Sequence, residues 1–107
     1  MLAGVGCCDP NGLDRMFAGR LVLRELKAWR REGLSRRQRS IVEELEPLTP
    51  GASVLDIGCG IGAVGTTLLA KGAGKGTSVD VSAAYLGAAR EVAAQTGVAD
   101  SSSSPRP

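Results

Sequence analysis

The sequence contains no histidine, and it has only one Trp, one Tyr and one Phe in 107 residues. Histidine is the commonest metal ligand and the usual general base near pH 7, so neither a zinc site nor a Ser-His catalytic pair is predicted. With so few aromatic residues, Ala, Val and Leu must fill the core within a hydrophobic fraction of 43%. We therefore expect one small domain without a metal site.

Long apolar runs and paired cysteines are also lacking. No run approaches the ~20 residues that span a bilayer, and the first residues lack the basic-then-apolar pattern of a secretory signal. Cys7, Cys8 and Cys59 are odd in number, and neighbouring cysteines seldom bridge each other, so no disulfide framework is predicted. We expect a cytoplasmic protein without a membrane partner.

The most informative stretch is residues 54–62, where an apolar run containing Asp56 is followed by Gly58, Gly60 and Gly62. This pattern predicts a buried parallel strand that ends in a tight glycine loop, with loop amides open to a ligand. Asp56 would repel the pyrophosphate of a dinucleotide placed over Gly58. It would attract the cationic amino group and sulfonium of another ligand, by a few kcal/mol at about 4 Å and intermediate dielectric.

A second carboxylate follows in a predicted strand over Thr77–Val81. Asp80 lies 20 residues after Gly60, and a helix from Ala63 to Lys71 connects the two strands. Such a βαβ unit is almost always right-handed, which brings both strand ends to one edge of the sheet. A carboxylate at this spacing binds ribose hydroxyls, in nicotinamide enzymes as well as others.

The order acidic residue, any residue, Gly-x-Gly-x-Gly resembles motif I of the class I S-adenosylmethionine-dependent methyltransferases, and the resemblance extends over residues 50–97. It implies S-adenosylmethionine as cofactor, with Asp56 at the methionine amino group and Asp80 at the ribose. The implied cofactor-binding residues are Asp56, Gly58, Cys59, Gly60, Gly62, Asp80 and Val81. The methyl acceptor is unknown, and no catalytic residue is assigned.

The predicted fold class is α/β, a partial Rossmann-like doubly wound fold with two parallel strands, flanking helices and an N-terminal helical extension. Residues 1–12 are predicted as an irregular lead, 13–49 as a helical lid, 50–100 as a partial cofactor-binding domain and 101–107 as a disordered tail. Helices are expected over Leu13–Arg31, Ser35–Glu46 and 82–96, the second docking by an apolar stripe (Leu34, Ile41, Val42, Leu45 and Leu48).

Two alternatives to a methyltransferase stay open. Gly58, Gly60 and Ala63 also satisfy the Gly-x-Gly-x-x-Gly/Ala fingerprint, which predicts an NAD(P)-binding Rossmann fragment. Between Arg20 and Arg39 there are eight Lys/Arg and two Glu, which suggests a non-catalytic basic interaction module. No aromatic residues for base stacking accompany that charge, so a solvated helix face is favoured and no nucleic-acid partner is assigned.

The sequence changes character at Ser101, where serines and prolines replace the third strand that the resemblance leads one to expect. We interpret the chain as the product of an early stop, a frameshift or a deliberate fragment, and we assign no activity to it alone. A two-stranded sheet of this kind has unpaired edges, so self-association through those edges is expected.

Overall fold

The computed structural model describes the backbone of residues 13–105 and the side chains of residues 19–105. Its helices and strands are α1 (Leu13–Glu32), α2 (Arg36–Leu45), β1 (Ser53–Ile57), α3 (Ala63–Ala70), β2 (Lys75–Val79), α4 (Ala83–Thr96) and β3 (Ser102–Ser103), with 3₁₀ turns at Glu46–Leu48 and Ala99–Ser101. The predicted irregular lead, residues 1–12, and the last two residues of the predicted tail lie outside the described part.

The three strands form one parallel sheet in the order β1-β2-β3. In the register of β1 on β2, Ser53 pairs with Lys75 and Ile57 pairs with Val79. Helix α3 connects β1 to β2, and α4 leads from β2 towards β3, as parallel strands require a crossover. The predicted α/β, Rossmann-like class is confirmed.

The third strand differs from the prediction of a disordered tail from residue 101. Ser102 and Ser103 pair in parallel with Gly76 and Thr77 of β2. The Arg90 guanidinium also donates a 2.6 Å hydrogen bond to the Ser104 carbonyl. Backbone pairing and the Arg90 side chain hold this segment in place. Its sequence has no apolar periodicity, so the third strand could not be predicted from the pattern of apolar residues.

The second strand begins two residues earlier than predicted and ends before Asp80, at Val79. Glycines at 74 and 76 indicate a turn, but Gly76 is a buried strand residue on which α3 packs. A Cβ at Gly76 would lie 3.0 Å from Leu69 Cδ1, so glycine is needed for this close approach. Asp80 therefore belongs to the loop after β2.

The predicted helix ends are confirmed by their caps. Ser35 and Gln38 form a reciprocal capping box at the start of α2, and Ser82 accepts a hydrogen bond from the Tyr85 amide at the start of α4. Gly33 and Gly97 follow α1 and α4 with φ of 75° and 84°.

Helices α3 and α4 cover one face of the sheet, and two apolar clusters pack α1 and α2 onto this layer. The first joins α1 to the glycine loop and α4 (Val22, Leu26, Ile61, Ala63, Ala88 and Val92), and the second joins α2 to α3 (Val42, Leu68, Leu69 and Ala73). The predicted α2 stripe docks only in part, because Val42 is buried whereas Ile41, Leu45 and Leu48 are 39–74% exposed.

The opposite face of the described sheet is uncovered. Leu55 is 63% exposed and Ile57 is 75% exposed. Side chains alternate between the two faces of a strand, so Val54 and Asp56 lie on the covered face and are half-buried. Within the described residues, no helix has both the length and the apolar character needed to cross a membrane.

Candidate functional site

The glycine loop directly follows β1 and has a backbone that other residues rarely adopt. Gly58, Gly60 and Gly62 have φ of 71°, 58° and 75°. A Cβ on Gly62 would also lie 3.1 Å from the Ala89 Cβ of α4. Glycine is thus needed at all three positions because φ is positive, and at Gly62 also because α4 packs closely against it.

The loop amides are less open than the sequence predicts. The N–H groups of Gly58 and Cys59 donate to the Val79 carbonyl, at 2.7 and 3.1 Å, and that of Gly62 donates to the Cys59 carbonyl at 3.0 Å. The Gly60 N–H donates to Asp80 Oδ2, also at 3.0 Å. Four of the five amides from 58 to 62 are therefore engaged within the chain, two of them by the last carbonyl of β2.

Asp80 joins the glycine loop to the start of α4. Its Oδ2 accepts the Gly60 N–H, and its Oδ1 accepts the Ser82 N–H at 2.9 Å. An ionised carboxylate has about four acceptor sites, so each oxygen keeps a further lone pair for a ligand hydroxyl. The arrangement fixes the carboxylate's orientation and leaves acceptor capacity at the C-terminal edge of the sheet.

Asp56 lies one residue before the end of β1, half-buried on the face that α3 covers. Burial raises the pKa of its carboxyl group, and the nearby charge of Asp80 adds to this, while the Gly65 backbone N–H lowers it. The two predicted carboxylates are therefore close enough to interact electrostatically. Together they make this edge of the sheet electronegative.

The other two predicted residues occupy different surroundings. The Cys59 thiol donates to the Gly60 carbonyl at 3.3 Å; burial, and then the charges of Asp56 and Asp80, raise its pKa to about 11. This cysteine is a neutral thiol at pH 7. Val81 is 63% exposed just beyond β2, without a described partner at the loop.

Three residues at the site were missed by the sequence analysis. Ser78 pairs with Asp56 in the β1–β2 register and lowers the pKa of Cys59 through a hydrogen bond. Tyr85, in the first turn of α4, places its ring 3.9 Å from where a Cβ on Gly60 would lie. Its hydroxyl donates to the Glu25 carboxylate of α1, and burial followed by this bond raises its pKa to about 12.

Simple periodicity could have found two of these residues. Ser78 lies on β2, two positions before the predicted Asp80, and Tyr85 lies in the first turn of the helix that follows Asp80. No sequence pattern predicts that Glu25 lies at the site, because its position depends on how α1 packs on α4.

A cleft of about 270 Å³ opens beside the loop, between α1, the α1–α2 turn and Ile61. Trp29, the one Trp of the chain, lines it with the carboxylates of Glu25 and Glu32. No Lys or Arg lines this cleft, although all eight basic residues from Arg20 to Arg39 are exposed nearby. One of them, Arg30, contacts Glu91 and Gln95 of α4 and so helps to hold the two helices together.

The described residues contain no group of three or more His, Cys, Asp or Glu that could hold a metal ion. The site is instead a glycine loop between two carboxylates, with a cleft alongside. Such an edge suits a ligand with a cationic end and hydroxyl donors.

Comparison with known families identifies this arrangement. The model of the methyltransferase domain family matches residues 54–103, from β1 to the end of β3. This match supports the predicted resemblance to the class I S-adenosylmethionine-dependent methyltransferases. The match includes the three residues after Asp100, where the sequence analysis expected the resemblance to have ended. No significant match is found among curated protein sequences.

Solved methyltransferases have the same fold. A methyltransferase from Geobacter sulfurreducens, solved with S-adenosyl-L-homocysteine, is 27% identical with a TM-score of 0.60, over 69% of this chain and 30% of that one. A second, from Thiobacillus denitrificans with the same ligand, is 25% identical with a TM-score of 0.57 and the same coverage. The chain thus spans about 30% of the length of these proteins.

A third structure includes the helical extension in the match. Magnesium protoporphyrin IX methyltransferase from Synechocystis PCC 6803 is 21% identical with a TM-score of 0.62, over 87% of this chain and 50% of that one. At this identity the likeness concerns the fold alone. The methyltransferase fold therefore accounts for more of the chain than the segment from β1 to β3.

Proposed function

We propose that this chain is the cofactor-binding part of an S-adenosylmethionine-dependent methyltransferase. The observation that carries the proposal is the placement of Asp56 and Asp80 on either side of a glycine loop whose amides are mostly engaged within the chain. The two solved relatives with 27% and 25% identity hold S-adenosylhomocysteine, which supports the same ligand class here.

The two carboxylates have separate roles in this proposal. Asp56 attracts the amino group of the methionine part, directly or through a water, and the amide of Gly65 helps to keep it ionised. Asp80 is oriented by Gly60 and Ser82, and its remaining lone pairs accept the ribose hydroxyls. S-adenosylmethionine, when bound, supplies an electrophilic methyl group, while these residues bind and orient it.

A dinucleotide is the weaker candidate for the same site. Its pyrophosphate needs free loop amides, yet four of the five from 58 to 62 already donate to acceptors in the chain. It would also bring two negative charges close to Asp56. We therefore favour a ligand whose end near β1 is cationic.

The acceptor side of the reaction is proposed only in outline. The cleft lined by Trp29 and Ile61 adjoins the glycine loop and offers a route for an unidentified methyl acceptor. Methyl transfer requires the acceptor to be held in line with the sulfonium, and no described residue is assigned to that task.

We place the chain in the cytoplasm, where S-adenosylmethionine is available to it.

Titration followed by amide NMR spectra tests this function and detects weak binding. S-adenosylhomocysteine should shift the Gly58, Gly60 and Gly62 amide signals in a saturable way. Asp56→Asn should weaken binding about 10- to 100-fold, the loss of one charge-assisted hydrogen bond of about 1.5–3 kcal/mol. Asp100→Asn is the matched control, since this exposed aspartate lies in the 3₁₀ turn after α4.

NAD⁺ is the competing ligand in the same titration. Saturable shifts of the glycine signals with NAD⁺, and none with S-adenosylhomocysteine, would overturn the proposal in favour of a dinucleotide. Equal weakening by Asp56→Asn and Asp100→Asn would remove the specific role of Asp56.

A further inference from the structure

The face of α1 that points away from the core carries a row of basic side chains. Four of them recur at intervals of four, three and four positions, which places them on one face of the helix: Arg20, Arg24, Lys27 and Arg31. All four are exposed. They lie opposite Val22 and Leu26, which α1 buries against α4. We call these four side chains the basic stripe.

The basic stripe is not neutralised by its own helix. Glu25 and Glu32 have no Lys or Arg three or four positions away within α1, although this is the spacing at which opposite charges pair on a helix. No ion pair joins a residue of the stripe to another described residue, whereas the neighbouring Arg30 contacts Glu91 of α4. Like charges recur at the pairing distance along the stripe, so its side chains repel one another.

Helix α2 adds two cations at an unfavourable position. Arg36 and Arg37 are its first two residues, and no acidic residue lies in that turn. The N-terminus of a helix carries a partial positive charge, so cations there lower stability. Both side chains are exposed, directly after the turn that joins α1 to α2. Charges kept in positions that the fold disfavours are typical of a functional surface.

The charge of the chain is divided between two regions. Residues 20–39 contain eight Lys/Arg and two Glu, a net charge of +6, while the whole chain has +2. The remaining residues, with five Lys/Arg and nine Asp/Glu, therefore carry −4 and include both carboxylates of the glycine-loop site. A polyanion is thus attracted to α1 and the start of α2 and repelled from the site at the sheet edge.

The chemistry of the basic residues favours the phosphates of a nucleic acid duplex. Seven of the eight from Arg20 to Arg39 are arginines, and the planar guanidinium binds phosphate in a bidentate manner. The stripe extends over about 16 Å at 1.5 Å per residue. A duplex strand carries a phosphate for about every 3.4 Å of axis, so each of the four cations can face one.

Single strands and membranes fit this surface less well. Single strands bind by stacking on aromatic rings, and the one aromatic residue from Arg20 to Arg39 is Trp29, half-buried beside the cleft. A helix that binds a membrane inserts its apolar face, but that face of α1 is buried against α4. Contacts through phosphates and shape are typical for duplex RNA, because side chains cannot read its deep major groove.

We propose that the basic stripe, extended by Arg36 and Arg37, binds duplex RNA through its phosphates. Six cations then contact the backbone without reading bases. The surface uses no residue of the glycine loop, so this inference does not depend on the proposed cofactor.

Fluorescence anisotropy of a labelled RNA duplex of about 16 base pairs, a length that one shape-specific module spans, tests the binding. With six phosphate contacts, the affinity of the chain should fall about 1000-fold between 50 and 200 mM salt. Arg24→Gln combined with Lys27→Gln leaves four contacts, so the fall should be only about 100-fold. Lys71→Gln combined with Lys75→Gln is the matched control, because it removes the same charge from exposed positions outside α1 and should leave the salt dependence unchanged.

Arg36→Gln combined with Arg37→Gln tests the same surface without endangering the fold. This variant should have the same reduced salt dependence, and its thermal midpoint should be at least that of the wild type, because the cations leave the N-terminus of α2. All of these variants should retain the glycine amide shifts with S-adenosylhomocysteine. Loss of RNA binding is therefore distinguishable from loss of cofactor binding.

A DNA duplex of the same sequence and vesicles of phosphatidylserine and phosphatidylcholine are the competing ligands. The RNA duplex should bind more tightly than either. Equal or tighter binding of the DNA or of the vesicles would overturn the assignment to RNA. Equal weakening by the α1 variant and by the lysine control would show attraction by net charge alone, and no RNA binding at the lowest salt would contradict the proposal as a whole.

Discussion

At the scale of single residues, Asp56 faces opposing demands from stability and from ligand binding. Its carboxylate is half-buried near Asp80, an arrangement that disfavours the charged form. The same two charges create the electronegative edge that the proposed ligand requires. A residue that costs stability and remains ionisable at such an edge is typical of a binding site.

Asp56→Asn should therefore raise the stability of the empty chain at neutral pH. Because the folded-state pKa is raised above 3.8, the stability linked to Asp56 is fully present below that value and is lost as pH rises through the folded-state pKa. The advantage of the variant should be largest near pH 7 and should shrink as pH falls towards 4. Urea unfolding at both pH values measures it, and a variant less stable than wild type at pH 7 would contradict the argument.

The glycine loop gives a second test at this scale. Gly62→Ala should destabilise the chain by about 1–3 kcal/mol, because alanine at a φ of 75° is strained and its Cβ would lie 3.1 Å from that of Ala89. Gly87→Ala, inside α4 with open space around it, should instead stabilise by about 0.5–1 kcal/mol. Similar effects of both changes on the urea midpoint would show that the backbone geometry of the loop is not the cause.

Sequence reasoning was most successful where one residue type is dictated by the backbone or by charge. The spacing of Gly58, Gly60 and Gly62 predicts their positive φ. The βαβ connection predicts that Asp80 lies at the same edge of the sheet as Asp56. The engagement of the loop amides could not be predicted, because it depends on where β2 ends relative to the loop. The Tyr85–Glu25 contact likewise depends on how α1 packs on α4.

At the scale of elements, helix ends were more predictable than strand boundaries. A cap is a local interaction within four residues, as in Ser35 and Gln38, whereas β2 and β3 are defined by neighbours distant in sequence. Gly76 is a strand residue because it pairs with β1, and Leu69 packs closely on it. Ser102 is a strand residue because it pairs with Gly76. Local turn signals at these glycines and serines therefore predicted the wrong boundaries.

The capping box of α2 provides the test for this scale. Ser35→Ala should cost about 1 kcal/mol, since it removes the acceptor of the Gln38 N–H at 3.2 Å. Ser40→Ala, at an exposed position inside the same helix, should be neutral or slightly stabilising. Equal losses in thermal unfolding would mean that the cap contributes nothing specific to α2.

At the scale of the whole molecule, the helices of the described part of the chain pack on one side of the sheet. The two apolar clusters join α1 to α4 and α2 to α3, while Leu55 and Ile57 are exposed on the other face of the sheet. The family match gives the fold of residues 54–103, and the chain spans about 30% of the solved relatives. The packing of these helices therefore stabilises the sheet from the face that α3 and α4 cover.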